Sequence, residues 1–446
     1  MPNNFSVGYE DLIKSCLAPS IPDLLHRPIS DSDFKDFCQH LDTNLKLLIF
    51  ATENEFDRLP KNALIFLIIV IGEQQGVGKW TTNSIAIKDN LQKIWNKILF
   101  NDILLESLLF GCLDKIKLKL NKETWKCNPS AVSCATFLTT TILKRCFKPN
   151  KEYYNLLIPF ILLQIDDFET CFKLNGLQLL KQMLTISEKQ VLNECGIWNV
   201  LIDAIKKVLY VKDVDILKIA IECFGFLIDY QPQTIVGKWD TCDEGINNLL
   251  IGMNMETSLH LRSMYVNALP KLLHCMKMKV VLWLKSLLSI YIEYLDTSVL
   301  NNCLDEITIC GISECAVTTM LYSKSFIFMF DSIIDKIFLV LLRINNCKID
   351  NLKKEKSIKY LIAAVSLLLI YNKKKLSEIQ QIYNDNISKS SNVYKLQWTR
   401  IFEIIEAENN FDKKKDLHQM FSKRENYYDT IYSHRIIIRT LEKSSN

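Results

Sequence analysis

Residues 198–228 read WNVLIDAIKKVLYVKDVDILKIAIECFGFLI and carry the clearest fold signal in the chain. Apolar residues recur there at steps of one and three positions on both sides of the short segment 210–213, a spacing typical of two amphipathic helices. So short a connection folds the second helix back along the first as a helical hairpin. A pair this small cannot bury its apolar face alone, so the pattern predicts further pairs stacked on either side.

Similar apolar stripes follow one another along the chain, and every second stripe returns after roughly 40 residues, the period of HEAT-type helix pairs. The predicted helices cover residues 153–163, 174–184, 198–209, 213–228, 242–253, 257–276, 281–295 and 298–309. Ser298 is the expected cap of the last helix, and Pro270 should kink or split the helix that contains it. Only 12 glycines and 10 prolines occur in 446 residues, too few for the turns of a β-rich protein. The predicted fold class is therefore all-α, an α-solenoid of HEAT-like antiparallel helix pairs.

The hydrophobic pattern predicts three parts. Residues 1–60 form an N-terminal helical cap, residues 61–345 form the solenoid, and residues 346–446 form a lysine-rich helical region that completes the array. Two apolar runs, 63–71 and 361–371, are shorter than the roughly 20 residues that span a bilayer, so we expect buried helices there. The N-terminal residues lack the features of a secretion signal. We expect a protein of the cytoplasm, and also of the nucleus, without a membrane partner.

The net charge of the chain is +4 and its isoelectric point is near 8.2. A nucleic-acid-binding domain usually has an isoelectric point above about 9, so charge does not indicate a nucleic-acid partner. Lysines nevertheless gather at positions 353–356, 373–375 and 413–415. Two interpretations stay open for them: solvated helix ends or loops, where cations complement the helix dipole, and a docking strip for an acidic partner.

No residue pattern indicates an enzyme. The 15 cysteines include no C-x-x-C pair, and the most closely spaced set, Cys303, Cys310 and Cys315, lacks zinc-ligand spacing, so we interpret them as reduced core residues. The six histidines form no H-E-x-x-H motif, and G-x-S-x-G is absent. We therefore expect no catalytic residues, no metal and no cofactor.

Residues 72–81, GEQQGVGKWT, resemble a phosphate-binding loop only in part. The motif G-x-x-x-x-G-K-[ST] needs glycine where Glu73 stands and a hydroxyl where Trp80 stands, so both the backbone cradle and the magnesium ligand are missing. The favoured interpretation is an inter-helix loop with Trp80 tucked beneath it as an anchor.

A second set of motifs lies in order along residues 115–296. Its members are Lys122-Glu123-Thr124-Trp125-Lys126 with Pro129, Asp166-Asp167, Leu174-Asn175-Gly176-Leu177, Val200-Leu201, Leu209-Tyr210, Lys238-Trp239, Cys242-Asp243-Glu244, Arg262, Tyr265, Leu269-Pro270 and Tyr294-Leu295. Through these residues the chain resembles the telomere-length-regulator-interacting protein two family, which supplies the smallest subunit of the TTT cochaperone complex. The candidate site residues, either structural or partner-binding, are Trp125, Pro129, Gly176, Leu201, Tyr210, Trp239, Asp243, Glu244, Arg262, Tyr265, Leu269 and Pro270.

The resemblance implies a non-enzymatic scaffold that binds a larger helical-repeat subunit directly and joins it to a telomere-length-regulator subunit. It also implies that this assembly works with the ATP-dependent heat-shock chaperone machinery to mature and stabilise phosphatidylinositol-3-kinase-related kinases. Among the residues themselves, Trp239, Trp283 and Trp398 are candidate anchors for a partner, although tryptophan in such helices is more often core. A helical-repeat transport or cargo receptor is the alternative, but such receptors usually carry a strong acidic charge.

Overall fold

A computed structural model describes residues 4–100, 102–145, 151–194, 196–231, 240–300, 303–346, 351–386 and 392–406. Most of these residues are helical, which confirms the predicted all-α class. The contacts between residues divide the chain into two compact units, Met1–Ala204 and Ile205–Asn446.

The first unit is built from helices α1 to α9 and part of α10. Their bounds are α1 (Asn4–Cys16), α2 (Lys35–Glu55), α3 (Lys61–Glu73), α4 (Ile85–Leu99), α5 (Asp102–Ile116), α6 (Pro129–Lys144), α7 (Lys151–Asp166), α8 (Thr170–Ile186), α9 (Lys189–Glu194) and α10 (Ile197–Val208). Short 3-10 segments lie at Pro22–Leu25, Phe56–Arg58, Lys117–Lys119 and Trp125–Cys127. Helix α3 packs against α5 and α6, α6 packs against α8, and α7 pairs with α8.

Helix α3 lies at the centre of the first unit. Ten of its residues are buried, among them most of the apolar run 63–71, which confirms the buried helix predicted there. Helix α1 packs against both α2 and α3, and the amide of Ala18 donates a hydrogen bond to the Glu73 side chain of α3. Helices α1 and α2 therefore belong to the same compact unit as helices α3 to α9, and the division at residue 60 stays a prediction.

The second unit contains two rows of helices. Their bounds are α11 (Val214–Tyr230), α12 (Thr241–Met255), α13 (Leu259–Met276), α14 (Val280–Thr297), α15 (Glu306–Tyr322), α16 (Asp331–Asn346), α17 (Asn351–Tyr371), α18 (Lys373–Asn386) and α19 (Asn392–Glu406). Strands β1 (Val299–Leu300) and β2 (Cys303–Leu304) and 3-10 segments Lys277–Lys279 and Lys324–Phe330 lie between them. Helices α11, α13, α15, α17 and α19 contact one another in succession, and α12, α14 and α16 form the second row. This order is the layered packing predicted for a solenoid, and the α15–α17 contact joins residues on both sides of the predicted division at residue 345.

Polar contacts give the helix directions and the period. His274 Nδ1 near the end of α13 lies 2.8 Å from the Tyr322 hydroxyl at the end of α15, so these two helices run parallel. Arg262 near the start of α13 contacts Glu293 near the end of α14, so neighbouring helices of opposite rows are antiparallel. The His274–Tyr322 partners are 48 positions apart, and other contacts within the first row span 45 to 50 positions. The repeat is longer than predicted because 3-10 segments and strands lengthen the connections.

Two predicted features of this unit are wrong in detail. Residues 298–309 do not form one helix, because β1 pairs antiparallel with β2 and α15 begins only at Glu306. The cap of α15 is Asp305, whose carboxylate accepts a hydrogen bond from the Thr308 amide at 3.1 Å, whereas the Ser298 hydroxyl donates to a carbonyl at the end of α14. Helix α13 also runs unbroken through Pro270, so the predicted split does not occur.

The positions of the described lysine clusters do not agree with the interpretation that their cations complement a helix dipole. Residues 353–356 lie in the first two turns of α17 and residues 373–375 in the first turn of α18, near the helix ends where the dipole disfavours cations. Residues 413–415 lie outside the described ranges. Lys356 instead pairs with Glu306, and Lys375 lies 3.0 Å from Asp335. Ion pairs to neighbouring helices therefore offset the unfavourable position of these two lysines.

Burial and helix length bear on two further expectations. Eight of the eleven cysteines whose side chains the structure describes are buried, as expected of core residues. Within the described ranges, no helix has the length and apolar character to cross a bilayer. In the same ranges, no group of three or more His, Cys, Asp or Glu side chains is arranged to hold a metal ion.

Candidate partner-binding site

The loop after α3 holds Trp80 as predicted. Gly76 adopts a φ of +80°, a left-handed conformation that suits glycine, and the chain then returns so that the Trp80 ring is buried. The indole Nε1 of Trp80 donates a hydrogen bond to the Glu73 carbonyl at 3.0 Å, and its ring contacts Phe34 edge to face. The inter-helix loop with Trp80 as its anchor is therefore confirmed.

Glu73 itself carries a buried carboxylate, a structural role that no sequence motif indicates. Its side chain accepts hydrogen bonds from the Ala18 amide at 2.9 Å and from the Ser130 hydroxyl at 3.1 Å. Burial raises the pKa of the Glu73 carboxyl, although the Ala18 amide, Lys119 and Ser130 oppose that shift. This side chain joins the N-terminal segment, α3 and α6.

Three candidate residues lie in the first unit beyond this loop. Trp125 is buried and contacts Phe172 edge to face at 5.0 Å between ring centres. Pro129 is the first residue of α6, where its missing amide hydrogen costs nothing. Gly176 lies where α8 passes close to α7, since a Cβ there would lie 2.9 Å from the Ile165 amide nitrogen. All three residues shape the packing of helices.

Leu201 and Tyr210 differ in exposure. The Leu201 side chain in α10 is fully buried, as expected of a core position. Tyr210, which follows α10, is 65% exposed. Of these two residues, only Tyr210 offers surface to a partner.

Asp243 and Glu244 lie in the first turn of α12. Asp243 and Asp240 form a capping box, in which each carboxylate accepts the backbone amide of the other residue at 3.0 Å. Burial raises the pKa of Asp243, whereas at Asp240 hydrogen bonds from Lys279 and Gln231 outweigh burial and lower the pKa. Glu244 reaches Lys206 at 2.7 Å. Trp239, just before this helix, lies outside the described residues.

Arg262 is the centre of a buried polar cluster. Its Nε donates to the Glu256 carbonyl at 2.6 Å, and its two terminal nitrogens donate to Thr297 and Glu293 at 2.7 Å each. The guanidinium also lies over the Tyr294 ring, 4.6 Å from its centre. Because these partners belong to the α12–α13 connection and to α14, Arg262 joins the two rows of helices.

Tyr265, Leu269 and Pro270 occupy buried positions on α13. Burial and the nearby Glu256 raise the pKa of Tyr265 to about 12, so its hydroxyl stays neutral. Pro270 has no amide hydrogen, which leaves the Val266 carbonyl four residues earlier without its helical donor. The Cys315 thiol of α15 donates to that carbonyl at 3.6 Å. The proline therefore creates a point of contact between two helices of the same row.

Most of the described candidate residues hold helices in position rather than line a reactive cleft. Trp125, Pro129 and Gly176 position helices of the first unit, while Asp243 and Arg262 cap and join helices of the second. One exposed residue escaped the sequence reasoning: Phe168, directly after the Asp166-Asp167 motif, is 83% exposed. Its only sequence signal is an aromatic residue among carboxylates at a helix boundary.

Comparisons with known proteins address the same region. The sequence profile of the Tti2 family matches residues 114–300, from the end of α5 to β1. A mouse (Mus musculus) protein named TELO2-interacting protein 2 is 26% identical over 190 residues, which cover 41% of this chain and 36% of the mouse protein.

Solved structures also show a partial similarity to this chain. The karyopherin Kap121p bound to the extreme C-terminus of the protein phosphatase Cdc14p has a TM-score of 0.46 at 11% identity, over 85% of this chain and 36% of that one. An engineered protein has a TM-score of 0.41 at 9% identity, over 89% of this chain and 94% of that one. The family resemblance predicted from the motifs is therefore confirmed: residues 114–300 match the Tti2 family profile, and the chain is similar in part to the mouse relative.

Proposed function

We propose that this chain is a scaffold or adaptor subunit of the TTT cochaperone complex and has no enzymatic role of its own. It binds the larger helical-repeat subunit directly and joins it to the telomere-length-regulator subunit. The observation that carries the proposal is the Tti2 family match over residues 114–300. The mouse relative's name, TELO2-interacting protein 2, supports a role in binding, and the matched segment spans 36% of that relative.

We further propose that the complex acts with the heat-shock chaperone machinery to mature and stabilise phosphatidylinositol-3-kinase-related kinases, in the cytoplasm and the nucleus. In this role the chain contributes surface rather than chemistry. Stable subunit contacts of this kind bury more than about 2,000 Å² with an apolar centre. The family segment carries exposed apolar side chains suited to such a contact, including Tyr210 at 65% and Met255 at 72% exposure.

The packing of the family residues supports this assignment. The Asp240–Asp243 capping box fixes the start of α12, and the buried Arg262 joins the start of α13 to α14, so these helix ends are held before a partner binds. A surface that is rigid before binding loses less conformational entropy on association. Helix ends that are fixed by buried polar contacts are therefore the arrangement expected of a scaffold.

Affinity purification of the tagged chain from its own cells tests the proposal. We expect mass spectrometry to find the larger helical-repeat subunit and the telomere-length-regulator subunit in amounts close to that of the chain. The matched control is the same tag alone. Recovery of the chain as a lone monomer would contradict the proposal, and recovery with a small GTPase and transport cargo would favour a cargo receptor instead.

A second experiment addresses the kinases. Depletion of the chain should lower the protein abundance of phosphatidylinositol-3-kinase-related kinases without lowering their messenger RNA, because an unassisted kinase is degraded after synthesis. Restoring the wild-type chain should restore them. Unchanged kinase abundance after complete depletion would argue against the maturation role, while leaving the subunit assignment to the first experiment.

A further inference from the structure

The connection between α7 and α8 displays an aromatic side chain. Phe168 lies in this connection and is 83% exposed. It stands inside the family segment, directly after Asp166 and Asp167. An exposed aromatic ring at a loop is a common anchor of protein interfaces, because it supplies a large apolar area with few rotatable bonds.

Lys126 supports this ring from below. Its ammonium lies 4.1 Å from the centre of the Phe168 ring, within the range of a cation–π contact. The same ammonium lies 2.8 Å from an Asp167 oxygen and 3.5 Å from a Glu169 oxygen. The Lys126 side chain is only 16% exposed, so its charge is used mainly within the loop. These contacts hold Phe168 in place before any partner arrives.

The loop is fixed at further points. Asp167 accepts a hydrogen bond from the Glu169 amide at 2.8 Å, which closes a tight turn around Phe168. Trp125, the neighbour of Lys126, is buried against Phe172 of α8. Binding through Phe168 therefore requires little ordering of the loop, and little conformational entropy is lost.

Around the Phe168 ring, two carboxylates are exposed to solvent, whereas the two nearby ammonium groups belong to partly buried side chains. Asp166 and Glu169 are exposed. Lys126 is largely withdrawn, and Lys173 is half-buried, where it donates to the Ile165 carbonyl at 2.6 Å. A partner therefore meets an aromatic ring flanked by negative charge. The complementary surface is an apolar pocket rimmed by lysine or arginine.

We propose that residues 166–169 together with Lys126, here named the Phe168 knob, insert into an apolar pocket with a basic rim on the larger helical-repeat subunit. This assignment of the partner rests on the proposed function. The knob adds to that function a defined contact: the Phe168 ring fills the pocket, and Asp166 and Glu169 face its basic rim. Lys126 is a positioning residue that holds the ring.

Substitution of the ring tests the proposal. In purified complexes of the full chain with the larger subunit, Phe168→Ala should raise Kd roughly tenfold or more, as expected for an interface hot spot. Phe168→Tyr should keep most of the affinity, because it keeps the ring. Phe100→Ala is the matched control, since Phe100 is also exposed, at 90%, but lies outside the family segment. Thermal unfolding should stay unchanged in all three variants.

Charge reversal tests the electrostatic part. Asp166→Lys should weaken binding and reduce the salt dependence of Kd, because it removes a carboxylate from the rim contact. Glu53→Lys, at an exposed position of α2 outside the family segment, is the matched control and should leave both quantities unchanged.

The outcomes separate the two proposals. If the wild-type chain binds the larger subunit and Phe168→Ala binds equally well, the knob is not part of the interface, and the proposed function still stands. If the wild-type chain does not bind the larger subunit, the proposed function fails and this inference fails with it. Weaker binding by Phe168→Ala but not by Phe100→Ala supports both.

Discussion

In the first unit the Glu73 carboxylate accepts hydrogen bonds from Ala18 and Ser130, which lie 55 and 57 positions away on opposite sides of it in the chain. In the second unit, polar contacts recur between successive helices of one row, each joining residues 45 to 50 positions apart. In the first arrangement, one buried side chain, that of Glu73, joins the segments. The second distributes it over several contacts, most of them exposed or part-buried.

This difference has an energetic consequence. In a repeat array each helix pair depends mainly on its neighbours, so the loss of one exposed contact has a local and small effect. A buried polar side chain that serves several partners cannot be removed without leaving those partners unsatisfied. Arg262 is a buried side chain of this second kind in the second unit, because it donates to Glu256, Thr297 and Glu293 and so joins α13 to the other row of helices.

The largest expected effect is that of Arg262→Ala. Arg262 is 7% exposed, and its loss would leave the Glu256 carbonyl and the Glu293 carboxylate without their donor. We expect the free energy of unfolding to fall by about 3 kcal/mol. Denaturant unfolding measures the loss, and hydrogen exchange in α13 and α14 locates it. Lys212→Ala is the control, because Lys212 is 78% exposed in its pair with Glu256 and should cost less than about 1 kcal/mol. Equal losses in the two variants would contradict the distinction.

Glu73→Ala should have the next largest effect. It removes the acceptor of the Ala18 amide and leaves a small cavity, so we expect a loss of about 2 kcal/mol. Glu73→Gln keeps an oxygen for that amide and should stay near wild type at neutral pH. Denaturant unfolding of both variants, with hydrogen exchange in α3, measures the difference. A loss in the glutamine variant as large as in the alanine variant would show that charge, and not acceptor geometry, holds the segments.

The pH dependence of stability gives a further comparison, between the wild-type chain and Glu73→Gln. Burial raises the pKa of Glu73 in the folded state above the ordinary value of 4.5, so the folded state binds the proton more tightly than the unfolded state. The stabilisation of the folded state by proton binding at Glu73 is fully present below pH 4.5 and is lost as pH rises through the raised pKa. The stability of wild type relative to Glu73→Gln should therefore increase as pH falls from about 7 toward 4.5. A difference that does not change with pH would exclude this linkage.

Two glycine-to-alanine substitutions, one in each unit, should change stability by smaller amounts and with opposite sign. In Gly176→Ala the new Cβ would lie 2.8 Å from the Gln164 Cβ and 2.9 Å from a backbone nitrogen, so we expect a loss of about 1 to 2 kcal/mol. In Gly225→Ala the nearest atom, Cys275 Sγ, lies at 3.4 Å, and the better helix propensity of alanine should leave stability unchanged or raise it by about 0.5 kcal/mol. Thermal unfolding compares them. Equal destabilisation of both variants would show that α7 and α8 are no more closely packed than α11 and α13.

The smallest effect is expected for an exposed contact of the repeat row. Lys277 lies 2.7 Å from Asp229, and their side chains are 49% and 28% exposed. Lys277→Ala should cost less than about 1 kcal/mol at low salt and nearly nothing at about 1 M salt. Denaturant unfolding at both salt concentrations tests this. A large loss that salt does not reduce would mean that single contacts in the second unit matter as much as Glu73 does in the first.

Helix positions were the most predictable part of the molecule. The helix predicted at residues 281–295 is α14, Val280–Thr297, and the helix predicted at 242–253 is α12, Thr241–Met255. The apolar stripe of a helix is formed by residues of that helix alone, so its period can be recognised without knowing which helices pack against it. Residues 298–309 failed because Val299 and Leu300 continue the apolar pattern, although they pair as a strand with residues 303–304.

The candidate site was predictable as a set of positions and not as a set of roles. The motif order led to Trp125, Arg262 and Pro270, but their burial and partners depend on how helices pack. Phe168 was missed because an exposed aromatic residue has no periodic signal. Its support by Lys126 joins residues from different elements of the chain.

Local pattern was therefore sufficient for the all-α class, because helix formation depends on residues close together in the chain. The packing of α11 on α13 and of α13 on α15 joins more distant residues and was decided by the tertiary structure. The identity of polar partners was not accessible from local pattern either. Glu73 meets Ala18, and Arg262 meets Glu293, only after helices pack, since the partners are 55 and 31 positions apart. Burial then sets the strength of each contact, because a hydrogen bond or an ion pair gains most where water is excluded.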